Sequence, residues 1–222
     1  MDHKRVFDQE LIDFKTIIMK MGGLVQSLIH RAIEALECQN VALAEEVISA
    51  DEEIDRLELE IDEQSIQLIA LRQPEASDLR LIMTGMKIAN DLERIGDLAE
   101  DIARRAKELA APPKLKTPPD IAEMARQAKN AVAKILDAFI NLDPVKAKEV
   151  WENETIVDKL RDNVHNVLVR AMSQDGQDIR RTIQLLLISR HLERIVDHVT
   201  NLAEEIIYLV EAKVVKHRRP LN

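Results

Sequence analysis

Eight carboxylates stand in four pairs, each spaced four residues apart: Asp51 with Asp55, Glu93 with Asp97, Glu154 with Asp158, and Glu193 with Asp197. On a helix that spacing puts both members of a pair on one face, with Cβ atoms about 5–6 Å apart. The register between pairs adds to this. Asp51/Asp55 and Glu93/Asp97 are centred on Pro74, a helix breaker. Residues equidistant from the turn of an antiparallel hairpin lie level, so the two pairs are expected to be neighbours. Glu154/Asp158 and Glu193/Asp197 are centred in the same way on Asp175-Gly176. Like charges gathered like this repel unless solvent or a cation relieves them. All-oxygen sets suit hard or borderline divalent ions such as Mg²⁺, Mn²⁺ or iron. Two readings stay open, an ion site on each hairpin or a solvated polar face. The second arises because, at about 100° per residue, Glu93 and Asp97 point roughly opposite the Ile88/Leu92/Ile95 stripe. Either way the acids are expected on the surface rather than in a bundle core.

The two sets are not identical. Asn90, Glu58 and Asp62 can add oxygens to the first, whereas Arg190, Arg161 and His165 stand at the matching places of the second. The second set is therefore less negative, and weaker or different metal binding is expected there. His165 and His191 are possible ligands, although a surface histidine is more often a bystander. Arg94 and Arg194 directly follow the glutamates and read as anion-binding groups or as surface ion pairs of little energetic weight. Leu79, Met83 and Met86 share the outward face nearer the turn, where an apolar strip marks either a partner surface or burial by another helix. The chain lacks a glycine-rich phosphate loop, a Ser/His/Asp set and Cys/His metal spacing.

Long amphipathic helices must position these residues. Phe7, Leu11, Phe14, Ile18, Met21, Val25, Leu28, Ala32 and Ala35 step by fours and threes along the first. Gly22-Gly23 within it reads as a kink or a close helix contact. Asn40 is the expected N-cap of the second helix, whose stripe runs Val47, Ala50, Ile54, Leu57, Ile61, Gln64, Leu68 and Leu71. The third resumes near Asp78 and carries Ile88, Leu92, Ile95, Ala99, Ile102 and Ala106. Pro112, Pro113, Pro118 and Pro119 then form a stiff linker. Ile121, Ala125, Ala128, Val132, Ile135, Phe139 and Leu142 restart the pattern. Asp143-Pro144 reads as an N-cap with proline at the first helical position. The fifth stripe is Val157, Leu160, Val164, Val167 and Ala171. The sixth is Ile188, Leu192, Ile195, Val199, Leu202 and Ile206.

The second half repeats the first. Asp78, Arg80, Ile88, Leu92, Glu93, Arg94, Ile95, Asp97 and Ala103 recur 100 positions later. Ile54-Asp55-Arg56-Leu57 matches Val157-Asp158-Lys159-Leu160 at an offset of 103. The fold class expected is all-α: two tandem three-helix bundles, six long helices related by internal duplication. Residues 1–110 make the first unit, 111–120 the linker, 121–217 the second unit and 218–222 a tail. With 46% apolar residues but 2% aromatic, the core must be Leu, Ile, Val, Ala and Met. A net charge of −9 argues against nucleic-acid binding, which needs basic patches for phosphates. A lone Cys38, a polar start and no stretch approaching about 20 apolar residues point to a cytoplasmic protein without membrane insertion.

Asp51–Asp55 followed by Leu92-Glu93-Arg94-Ile95-Gly96-Asp97, and again Glu154–Asp158 followed by Leu192–Asp197, resembles the PhoU family. Asn90-Asp91-Leu92-Glu93-Arg94-Ile95-Gly96-Asp97 is the most specific piece. The resemblance runs from about Phe7 to Lys216. It implies paired three-helix bundles with metal held by Asp51, Asp55, Glu93, Asp97, Glu154, Asp158, Glu193 and Asp197, the ion being Mg, Mn, Fe or Zn. It also implies a cytosolic accessory to the phosphate ABC transporter and its sensor kinase PhoR, often dimeric, that represses phosphate-starvation genes and is not an enzyme. The chain departs from the family pattern at Arg190 and His191. An alternative reading is a metal-dependent phosphoesterase, because ions clustered with carboxylates can activate water.

Overall fold

The structure, a computed structural model, describes residues 3–111, 117–152, 154–174 and 179–212. Among the described residues all regular structure is helical: α1 (His3–Cys38), α2 (Val41–Arg72), α3 (Ala76–Leu109), α4 (Pro119–Asn141), α5 (Pro144–Glu152), α6 (Glu154–Gln174) and α7 (Ile179–Glu211). The fifth expected helix is represented by α5 and α6, either side of position 153. Most of the proline-rich stretch, the Asp175-Gly176 turn and the tail lie outside the described residues.

Local chemistry sets the helix ends. Asn40 is extended (φ −95°, ψ 99°) and its side chain accepts from the Leu43 amide at 3.1 Å. The Asp143 carboxylate accepts from the amides of Val145 at 3.0 Å and Lys146 at 3.1 Å. Both caps fill amides that a helix start leaves unpaired. We expect Asn40→Ala to lower stability by about 1 kcal/mol in urea titrations, with Asn40→Gly costing less. Gln73 and Leu142 end α2 and α4 in the left-handed region, at φ 48° and 51°.

α1 packs against both α2 and α3, and in the second half α7 packs against α4, α5 and α6. Ile188, Leu192, Ile195, Val199, Leu202 and Ile206 are all fully buried, as their spacing predicts. Two stripes drift. Leu71 is 72% exposed while Ser65 is buried, its hydroxyl donating to the Ile61 carbonyl at 2.7 Å. Val167 is likewise exposed and Leu168 buried in its place.

The halves meet where α3 packs against α7 and α1 against α4. Gly22 makes the second contact close: a Cβ there would come within 2.2 Å of Leu136 Cδ1. The α3/α7 seam runs antiparallel and is partly polar. Lys87 Nζ pairs with Glu205 at 2.7 Å, His198 Nδ1 contacts Asp91 Oδ1 at 2.8 Å, and Arg105 donates to Gln184 at 2.6 Å. Arg105 Nε also donates to His191 Nε2 at 3.1 Å. Burial holds the His191 imidazole below its usual range, with Asp101 opposing and Arg105 and Arg194 assisting. His191 is thus a buried seam residue rather than a surface one.

Candidate functional site

The α2/α3 hairpin keeps the level pairing expected of it. Lys107 Nζ reaches Glu45 at 2.8 Å at one end, and Asn90 Nδ2 donates to Glu58 Oε1 at 3.5 Å toward the turn. Between them Asp51 lies directly over α3. A Cβ on Gly96 would stand 3.2 Å from Asp51 Oδ1 and 3.2 Å from Ile54 Cγ2. Glycine lets the carboxylate approach the α3 backbone this closely.

The approach strips the acids of water. Asp51 Oδ1 and Glu93 Oε2 are both buried without a hydrogen-bond partner. Arg94 Nε is 3.4 Å from that Glu93 oxygen, at ion-pair range but without hydrogen-bond geometry. The Glu93 side chain is only 16% exposed, so the groove between α2 and α3 takes it in. This differs from the solvated face that helical angle alone implies. Asp97 is more open and pairs with Arg94 at 3.2 Å, and Asp55 is exposed.

Desolvation pushes the Asp51 carboxyl from an ordinary 3.8 up to about 7, with repulsion from Glu100, Asp55, Asp97 and Glu93 adding to it. Burial raises Glu93 as well, followed by Asp97; Glu58 and Asp55 add, and Arg94 opposes. An unpaired carboxylate in a low-dielectric groove is costly, and these shifts express that cost. Glu100 therefore belongs to the first set, although its carboxylate also pairs with Arg104. Sequence reading passed it over. Its signal was spacing: three residues beyond Asp97 and seven beyond Glu93, on the same face.

The second set is built differently. Glu154 opens α6, but its side chain lies outside the described residues. Asp158, on α6, and Glu193, on α7, are joined by one guanidinium. Arg161 Nη1 hydrogen-bonds Glu193 Oε1 and lies 3.4 Å from Asp158 Oδ1, while its Nη2 donates to Asp162 at 2.8 Å. Arg190 Nη1 adds a 3.3 Å contact to the other Glu193 oxygen. Asp197 is held above its ordinary range, first by desolvation, then by Glu193 and Asp158, with His198 and Arg190 opposing. His165 is exposed on α6, and His191 is occupied in the seam.

Among the described residues, no three His, Cys, Asp or Glu side chains are gathered closely enough to hold an ion as they stand. The first set nevertheless suits one chemically, because two of its buried oxygens lack a hydrogen-bond partner. In the second set a cation of the chain's own already stands among the acids. Leu79 and Met83 are exposed as expected, and Met83 and Met86 border a groove with Glu58 and Asn90 that leads toward the seam.

The PhoU domain family model matches residues 18–106 and again 121–206. The chain belongs to the PhoU family. Each PhoU domain contains one of the duplicated acidic sets. A "phosphate-specific transport system accessory protein PhoU homolog" of Aquifex aeolicus is 46% identical over 210 residues, covering 95% of both chains. The Escherichia coli accessory protein PhoU is 34% identical, covering 95% of this chain and 88% of that one. The crystal structure of PhoU from Pseudomonas aeruginosa superposes with a TM-score of 0.86 at 37% identity, covering 93% of this chain and 100% of the other. No helix among the described residues is long and apolar enough to cross a membrane.

Proposed function

We propose that this chain is a regulatory accessory protein of phosphate transport, a metal-binding adaptor that catalyses nothing. The observation that carries the reading is similarity over 95% of the chain to proteins named as accessories of the phosphate-specific transport system. In this reading the protein acts in the cytoplasm as a homodimer. It links the phosphate ABC transporter to the sensor kinase PhoR and represses the phosphate-starvation response when phosphate is ample. Its output is a change in which partner it holds, biased by the state of the transporter.

Asp51, Asp55, Glu93 and Asp97 would hold a divalent or iron-type ion, with Glu58 and Glu100 at the margin. The ion would supply positive charge where the Asp51 and Glu93 oxygens lack a hydrogen bond. Holding it requires small rotations of these side chains toward one another. Asp158, Glu193, Asp197 and Glu154 are the matching group in the second half.

The test is genetic. Deleting the gene in its host should switch on phosphate-starvation reporters in phosphate-rich medium. A copy carrying Asp55→Asn with Glu93→Gln should restore repression only partly. Reporter output unchanged by deletion would remove the regulatory reading. Turnover of phosphate esters by purified, Mn²⁺-supplemented protein would replace the adaptor with the phosphoesterase.

A further inference from the structure

The two halves are duplicates in sequence, yet their acidic sets solve the same electrostatic problem in different ways. Six positions line up between them at offsets of 103 and 100. The first half carries Asp51, Asp55, Glu58, Glu93, Asp97 and Glu100, all carboxylates. The second carries Glu154, Asp158, Arg161, Glu193, Asp197 and Thr200. Position 90, an asparagine beside Glu58, becomes Arg190 beside Glu193. Gly96, which lets Asp51 onto the α3 backbone, becomes Val196.

Geometry shows the consequence. Arg161 projects from α6 across to α7 and contacts Glu193 and Asp158, one acid from each helix. A metal ion bridging the hairpin would have to contact the same pair of helices. Arg190 takes the remaining Glu193 oxygen. The Glu193 side chain is only 12% exposed and Arg161 29%, so this contact is formed in the groove rather than at its rim. In the first half Arg104 pairs with Glu100 at the margin, and the cation beside Glu93 and Asp97 is Arg94, whose side chain is 54% exposed and leaves Glu93 Oε2 without a hydrogen bond. A guanidinium fixed between carboxylates has a charge that cannot be titrated away and a planar fork matched to them.

We infer that Arg161, assisted by Arg190, acts as a built-in counter-ion that closes the second acidic set to metal, so that this protein takes metal ions through its first half alone. The inference rests on the metal reading above for the first half, but what it says of the second half stands separately. The duplication has kept four of the six carboxylate positions in both halves while dividing their roles. The first set is open to an external cation, and the second is a permanent internal ion pair that ties α6 to α7.

Mn²⁺ alone is the probe, added to chelator-stripped full-length protein and followed by equilibrium dialysis and elemental analysis. Asp55→Asn/Glu93→Gln disables the first set by taking one carboxylate from each of its helices. In that background the remaining second set should bind Mn²⁺ at least tenfold more weakly than wild type does. Adding Arg161→Glu and Arg190→Asn, the residue types of the first half, should then raise Mn²⁺ affinity by tenfold or more. Arg161→Gln serves if the double change fails to fold, as judged by circular dichroism, and Arg161→Lys should leave the set closed. Gain of binding on removing Arg161 supports the inference whatever wild type does. Failure to gain it, or undiminished binding after loss of Asp55 and Glu93, overturns it. Absence of Mn²⁺ from wild type would instead count against the metal reading of the first half.

Discussion

Phe14→Ala is expected to destabilise the protein by about 3–5 kcal/mol, a loss on the order of 10 °C in Tm for a chain of this size. Phe14 is fully buried on α1, and its ring lies over α3 at Gly85. A Cβ at Gly85 would fall 2.4 Å from Phe14 Cε1, 2.5 Å from Cζ and 3.0 Å from Ile18 Cδ1. Ring and glycine are therefore a matched pair, and α1 docks on α3 through it. Gly85→Val alone should also destabilise, by about 1–3 kcal/mol of overpacking, because a buried ring has no free direction to retreat. Combined with Phe14→Ala, the valine enters the vacated space, and the double variant should be more stable than Phe14→Ala alone. Urea titrations of the four proteins measure this directly. A coupling of about 2 kcal/mol or more is expected. Simple additivity would mean that the two positions do not touch.

Helical periodicity made most of this architecture legible, and its failures have a geometric cause. Steps of four and three average about 3.5 residues, whereas an α-helix turns every 3.6 or so, and the mismatch accumulates. From Val47, 18 residues make about five whole turns, so Ser65 lies beneath Val47 and is buried. Leu71 has by then rotated about 120° away and faces water. Leu168 likewise lies under Val157, and Val167 is turned aside. Caps such as Asn40 and Asp143 were readable because they act within three residues of themselves.

The level pairing of the acids was readable because a hairpin centred on Pro74 leaves little choice of register. Depth was not. Helical angle alone sends Glu93 outward, but α2 runs alongside and Gly96 lets the helices close, so Glu93 sinks into a groove. His191 was misread for a similar reason. On a single helix it lies at the flank of the apolar stripe, about 60° from Ile188, and the packing of α3 on α7 buries it. The bridge made by Arg161 depends on where a long side chain comes to rest, which no spacing rule specifies. Its charge at that position was visible, but its reach across to Glu193 was not.

Groove depth has a measurable consequence at Asp51. Its folded-state pKa of about 7 stands above the ordinary 3.8, so between those values the folded protein holds a proton that the unfolded chain has released. Stability must therefore fall as pH rises from about 4 to about 7, and the penalty is complete above the upper value. This is the reverse of a carboxylate held in a salt bridge. In chelator-treated protein, Asp51→Asn should leave stability at pH 4 nearly unchanged and raise it at pH 8. Three units would set a ceiling near 4 kcal/mol at about 1.4 kcal/mol per unit. Partial solvent access to the groove reduces the expected gain to about 2 kcal/mol, or roughly 5 °C in Tm. Asp55→Asn should ease the penalty by less than Asp51→Asn does, because Asp55 only adds repulsion to the Asp51 carboxyl. Mn²⁺ should stabilise wild type at pH 8, where the carboxylate is already ionised, and at pH 6 its binding should release a proton, since the ion and the proton compete for the same oxygens. The Asp51→Asn variant should respond less. Urea midpoints measured from pH 4 to pH 8 decide the matter. An Asp51→Asn variant destabilised equally across that range would show that Asp51 is satisfied where it lies, and that the groove holds no charge in need of a cation.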